Sequence, residues 1–146
     1  MVSMAVLRAA NCMVIPVPPS LVDFASTVSF IDMTRTTMKQ LEQLAGRGRP
    51  AYNFIRLVGS RVDESKSMHR EILSMMRQVF GGSMTQSVMV TSAEIDNASS
   101  RMKTVFELDK PVTAHEVYNR CMKHLSDVCQ DIEQDVLRTW ASRAGG

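Results

Sequence analysis

Few side chains in this sequence stand at spacings suited to chemistry. Cys121, His124 and Cys129 share one helical stretch, with Cys121 and His124 three positions apart. Cys129 lies more than a turn further on, and a zinc site would need a fourth ligand and starts best from a Cys-x-x-Cys half. The better reading is two small buried cysteines and a surface histidine. His69 and His115 each occupy a helical position with no nucleophile or carboxylate triad nearby in sequence, so neither is set up for acid–base catalysis. Gly46-Arg47-Gly48-Arg49 is the nearest approach to a phosphate-binding loop. It follows a helical pattern rather than a strand and has no lysine, so it reads as a basic linker. No dinucleotide fingerprint is present. The residues taken alone therefore nominate no catalytic group and no metal ligand.

Basic side chains are the remaining candidates. Between Arg35 and Arg61 stand Arg35, Lys39, Arg47, Arg49, Arg56 and Arg61 against the single acid Glu42, and Arg101 and Lys103 form a second pair. Such clusters are solvated faces or phosphate-contacting surfaces, and charge alone does not decide between them. The net charge of +2 is too small to demand a nucleic-acid partner. Twelve methionines are many for 146 residues. Met68, Met75 and Met76 are expected to fill a core, and Trp140 to anchor packing.

These residues need elements to hold them. The length fits one domain, and 45% hydrophobic residues argue against a disordered chain. No apolar run reaches the roughly 18 residues of a membrane span, and Met1 to Ala10 has no basic leader, so a soluble protein is expected. Three unpaired cysteines favour reduced thiols and a cytoplasmic setting.

One grammar occurs three times: a short apolar run, a polar break, then a capped amphipathic helix. Cys12–Val17 precedes Pro18-Pro19 and a helix capped by Ser20, with Asp23 facing the free amides and Gly46 as its stop. Its apolar seam is Leu21, Phe24, Val28, Ile31, Met38 and Leu41. Tyr52–Val58 precedes a break at Gly59, Ser60 and Arg61, then a helix capped by Asp63, with Met68, Ile72, Met75 or Met76 and Val79 as its stripe. A run around Val88-Met89-Val90 precedes Thr91-Ser92-Ala93-Glu94, which reads as a capping box. The same signature recurs at Thr113–Glu116 and opens a long helix whose seam is Val117, Cys121, Leu125, Val128, Ile132 and Val136. Strands alternating with helices imply an α/β fold with a parallel sheet of about three short strands. Ligands of such sheets sit outside the carboxyl ends of the strands, which singles out the loops 16–23, 59–63 and 90–95.

Several ordered segments resemble a known family. Val14-Ile15-Pro16-Val17-Pro18-Pro19, then Asp23-Phe24-Ala25-Ser26-Thr27 and Phe30, is similar to the middle of ParA plasmid-partition ATPases. Arg61-Val62-Asp63, Glu94-Ile95-Asp96-Asn97-Ala98, Thr104-Val105-Phe106-Glu107 and Glu133–Trp140 continue the resemblance in order. It implies that residues 1–146 are the C-terminal part of a ParA-like nucleotide-binding domain, a partial P-loop-type doubly wound sheet begun at an internal methionine. Those proteins are deviant Walker ATPases of the MinD/ParA superfamily, and their phosphate loop and magnesium-binding aspartate lie upstream of the segments matched here. The resemblance implies ATP and Mg2+ for the intact protein, and none bound by this chain alone. It also implies a ParA-like homodimer, non-specific DNA, a ParB-type partner that stimulates hydrolysis, and a cytoplasmic, nucleoid-associated protein. It places Ser60, Arg61, Val90 and Thr91 beside the nucleotide, with Ser60 and Val62 departing from the family's threonine and tyrosine. Arg101, then Lys103, match its DNA-contacting position. The alternative is a stand-alone module without catalysis that binds DNA or a full-length ParA.

Overall fold

In the computed structural model, residues 2–45 and 52–144 are described. They form α1 (Val2–Ala9), β1 (Cys12–Val17), α2 (Leu21–Ala45), β2 (Phe54–Gly59), α3 (Ser67–Phe80), α4 (Ala93–Ser100) and α5 (His115–Ala144). Short 3-10 turns occupy Gly81–Ser83 and Val105–Glu107. The expected stop at Gly46 and the basic linker Gly46–Arg49 lie outside the described residues.

Alternation along a strand sends neighbouring side chains to opposite faces. Ile15 and Val17 of β1 thus share a face with Leu57 of β2, because β1 and β2 pair in parallel with Ile15 opposite Leu57 and Val17 opposite Gly59. That face carries the larger core: Val17, Leu57, Ile72, Met76 and Met84 are buried, with Phe24 and Ile31 of α2 and Leu73 and Phe80 of α3 packed on them. Phe24 and Phe80 meet edge to face, centroids 5.6 Å apart. Gly59 lets the end of β2 pack closely, since a Cβ there would stand 2.9 Å from Leu73 Cδ2 and 3.0 Å from Val88 Cγ1 and would make those side chains shift.

The third apolar run forms no continuous strand with β2. Among the described residues its one backbone bond to β2 is from the Met89 amide to Gly59 O at 2.7 Å. Isolated parallel bridges stand on either side, Leu57 of β2 with Met84 before the run and Val62 beyond β2 with Val90. Two causes are visible. Arg61 sits at a φ of 54°, which breaks the extended line of the chain between Gly59 and Val62. Meanwhile the groups at the middle of the partner segment are engaged elsewhere. The Thr85 hydroxyl donates to Ser87 O, and the Ser87 amide donates to Asp131 Oδ2 at 2.9 Å.

A second core lies beside the first, where Ala98, Val105 and Cys121 are buried among Ile95, Leu108, Tyr118, Met122 and Leu125. It packs α4 and the turn at Val105–Glu107 against the first half of α5. The second half of α5 is tied to β2 by a two-pronged ion pair: Arg56 Nε to Asp135 Oδ2 at 2.6 Å and Arg56 Nη2 to Asp135 Oδ1 at 2.8 Å. Geometry of this kind is the strong form of a charged hydrogen bond.

Several expected details are corrected. Asp63 does not cap α3. The cap position is Lys66, with no side-chain bond, and Asp63 instead accepts from Ser65 in a tight turn. On α3 only Ile72 and Met76 are buried, with Leu73 and Phe80 partly buried beside them, while Met68, Met75 and Val79 are exposed, because they lie on the face of α3 turned from the core. Leu21, Val117 and Trp140 are likewise exposed, and so is Cys129, whereas Cys121 is buried. The expected box at Thr91–Glu94 is a simple Ser92 cap, whose hydroxyl accepts from the Glu94 amide at 3.3 Å. The Glu94 carboxylate turns away from its own helix, as described below.

Candidate functional site

The loops after β1 and β2 and the segment before α4 meet at the carboxyl end of the sheet. The loop after β1 is fixed first. The Asp23 amide donates to Ser20 Oγ at 3.1 Å, and the Ser20 hydroxyl donates to the Asp23 carboxylate, so the start of α2 is capped as its sequence predicts. The Ser60 amide donates to Val17 O at 3.0 Å and ties the two loops together. The segment before α4 is laid against them by two bonds, Val62 N to Met89 O at 3.0 Å and Thr91 N to Val62 O at 2.8 Å.

Between them lies an open cleft of about 450 Å³ lined by Pro18, Pro19, Ser20, Asp23, Arg61, Asp63, Lys66, His69 and Thr91. Two of the four expected nucleotide-contacting residues, Arg61 and Thr91, line it and are exposed. Ser60 does not line it, and its amide is committed to Val17 O. Val90 is buried at 3% exposure against Val62, so it supports the wall and presents no surface to a ligand.

Sequence reasoning missed Lys66 and His69 as members of this cleft, whereas Asp63 closes one of the loops it singled out and was read there as a helix cap. Asp63 Oδ1 accepts from both the hydroxyl and the amide of Ser65, at 2.6 and 3.1 Å, and Lys66 Nζ stands 3.5 Å from Oδ2. The Ser65 hydroxyl first, then its amide, hold the Asp63 carboxyl below the ordinary aspartate value, and Lys66 adds to the effect. The Asp63 amide donates to His69 Nδ1 at 3.0 Å, which leaves Nε2 as the nitrogen that carries the proton in the neutral ring. The only sequence sign of this contact is a histidine six positions after an aspartate, across a turn and the first residues of a helix. Such an arrangement holds a polar molecule well. None of the described residues lining the cleft is set up as a nucleophile with a base and an orienting group in line. Among the described residues no cluster of histidine, cysteine, aspartate or glutamate is placed to hold a metal ion.

Arg101 and Lys103 lie together elsewhere, on the turn that ends α4, and both are exposed. The Arg101 amide donates to Ala98 O and the Met102 amide to Ser99 O, with Met102 at a φ of 54°. At the other end of α4, Glu94 is fully buried. Its carboxylate accepts from the Val112 amide at 2.8 Å, the Thr113 amide at 2.9 Å and the Thr113 hydroxyl. The Thr113 hydroxyl is thus drawn away from Glu116, and the box expected at Thr113–Glu116 is replaced by a clasp from α4 to the start of α5. The Thr113 hydroxyl is the main cause holding the Glu94 carboxyl below the ordinary glutamate value, followed by the Val112 amide.

No family model matches this chain. It is 21% identical over 138 residues to "Putative replication protein A" of Rhizobium rhizogenes, covering 94% of this chain and 34% of that protein. It is 26% identical over 102 residues to Protein SopA of Escherichia coli strain K12, covering 70% of this chain and 25% of SopA. A second replication protein A, from Sinorhizobium fredii, is 21% identical over 137 residues. The similarity is to plasmid replication and partition proteins. The chain spans about a third of the length of the first of these relatives and a quarter of SopA. Among the described residues no helix is long and apolar enough to cross a membrane.

Proposed function

We propose that this chain is the C-terminal portion of a ParA-type partition ATPase, with a P-loop-type doubly wound sheet of which β1, β2 and the segment at Val88–Val90 are three neighbouring strands. In this reading the cleft takes the base end of ATP, with Arg61 and Thr91 at its surface and their chain neighbours Ser60 and Val90 outside its lining. Arg101 and Lys103 take DNA phosphates without reading sequence. The intact protein dimerises around ATP, coats nucleoid DNA and releases when a ParB-type partner stimulates hydrolysis.

The observation that carries the reading is the meeting of Arg61 and Thr91 in one cleft at the carboxyl ends of the strands, in a chain similar to SopA along 70% of its length. The cleft fits a base and not a triphosphate with Mg2+. Lys66 stands beside Asp63, and among the described residues no glycine loop or further lysine lines the opening. Mg2+ would supply charge neutralisation of the phosphates when bound. The residues of this chain would only seat and orient the base.

The purified chain is expected to show no magnesium-dependent ATP turnover, with or without DNA, and to bind a fluorescent adenosine analogue weakly and dependent on Arg61. Turnover that survives repurification and Arg61→Ala overturns the reading. For the DNA face, Arg101→Glu should weaken binding to unrelated duplexes alike and flatten the salt dependence. Unchanged affinity at low salt removes Arg101 from the interface.

One observation favours the second reading, a stand-alone module that captures a full-length ParA. β1 has a strand partner on one edge only among the described residues, and Val14 on it is 42% exposed. Strand addition along that edge would be the mode of capture. Co-purification with a full-length ParA, abolished by Val14→Lys, would support this module.

A further inference from the structure

Met102 is 98% exposed, the most exposed large apolar side chain among the described residues, and it stands between Arg101 and Lys103. Its φ of 54° is the left-handed conformation found just past helix ends, where glycine is the favoured residue. The conformation is firmly held. The amides of Arg101, Met102 and Lys103 donate to Ala98 O, Ser99 O and Ala98 O, each at 3.0 Å. A methionine here accepts backbone strain and gains no burial, so neither helix termination nor packing accounts for the side chain. The carboxylates that act on the two flanking cations are occupied. Glu94 accepts from Val112 and Thr113, and Glu107 accepts from the amide and hydroxyl of Thr104. Neither forms an ion pair with Arg101 or Lys103 among the described residues.

We propose that Met102 is an apolar wedge that enters between adjacent base pairs of duplex DNA while Arg101 and Lys103 rest on the flanking phosphates. This rests on the reading of Arg101 and Lys103 as DNA contacts. Apolar side chains inserted at a base step partly unstack it and kink the duplex, and methionine is among those that serve. An unbranched, polarizable thioether suits a slot of variable shape. The locked backbone lowers the ordering cost of placing it. A lipid surface is a poorer fit, because even a whole myristoyl chain gives only marginal membrane binding.

The test uses the full chain and a short duplex carrying 2-aminopurine, whose fluorescence rises on unstacking, at low salt. Wild type should bind and raise the fluorescence. Met102→Gly should bind about tenfold more weakly, roughly the effect of 1.4 kcal/mol, with unchanged salt dependence and no fluorescence rise. Its melting temperature should hold or increase, because glycine adopts this φ without strain. Arg101→Glu should instead flatten the salt dependence. Wild-type binding without a fluorescence change, or Met102→Gly behaving as wild type, overturns the wedge and leaves the phosphate contacts standing. No salt-dependent DNA binding by wild type overturns the DNA reading itself, and the wedge with it. Binding to vesicles of phosphatidylglycerol and phosphatidylcholine that is lost in Met102→Gly, with no fluorescence change on DNA, assigns the tip to a membrane and also overturns the wedge.

Discussion

Two residues other than glycine adopt a positive φ among the described residues, Arg61 in the cleft and Met102 on the turn after α4, both at 54°. Their surroundings differ. Around Arg61 the polar groups already answer one another: Ser20 with Asp23, Asp63 with Ser65 and Lys66, and His69 with the Asp63 amide. Around Met102 the backbone is bonded, but the side chains of Arg101 and Lys103 make no hydrogen bond or ion pair among the described residues. Strain of this kind collects at sites where surrounding structure over-determines it. The cleft is therefore walled by groups already bonded to one another, and the turn is an open, charged point.

The supports beneath the two regions offer the strongest ways to break this contrast. Met76 is fully buried in the core against Val17 and Leu57, on the strands whose carboxyl ends lead into the cleft. Met76→Ala should lower stability in a urea melt by about 2–5 kcal/mol, and a loss below about 1 kcal/mol would mean that this core is loosely packed. Next is the tie between β2 and α5, where Asp135 is 9% exposed and Arg56 is 24% exposed. Asp135→Ala should cost about 2–3 kcal/mol, at the lower end for a broken pair because Arg56 keeps some water. Replacing both, as Arg56→Met with Asp135→Leu, should recover most of that loss.

Glu94 clasps α4, the helix that ends in the turn, to the start of α5, and its effect is smaller and depends on pH. Its carboxyl titrates below the ordinary 4.5 when folded, so its stabilisation is complete above that value and is lost as pH falls through the lowered folded value. Glu94→Gln should therefore melt several degrees below wild type at neutral pH, and the two melting curves should converge on acidification. A gap that stays constant with pH would mean that the carboxylate's charge is not what clasps Val112 and Thr113. The smallest effect is expected for Arg61→Gly, which relieves the φ strain and should change stability by less than about 1 kcal/mol. It should nonetheless abolish adenosine-analogue binding, which would separate the cleft's chemistry from its fold.

Much of the frame was legible in the sequence. Apolar runs of the right length marked β1 and β2, and the Ser20 cap with Asp23 fixed the start of α2. Arg61 and Thr91 were named from a resemblance, and the loops around them from the rule for parallel sheets. What escaped has a common physical cause. Glu94 three residues after Thr91 carries the same local signal whether it caps its own helix or reaches Thr113, and only the packing of α4 on α5 decides. Likewise the α3 stripe admitted either Met75 or Met76, and the burial of Met76 reflects how the helix rolls against Leu57 and Val17. The third run had strand composition, but the break at Arg61 and the pull of Asp131 on Ser87 are long-range facts.

The parallel register has a consequence in time. β1 pairs with a strand that begins about 40 residues later in the chain. Synthesised at roughly 5–20 residues per second, β1 waits roughly 2–8 seconds for its partner. During that interval Cys12–Val17 lacks the partner that β2 provides. Pro16 interrupts its row of backbone donors, which makes it a poorer template for stray pairing while it waits.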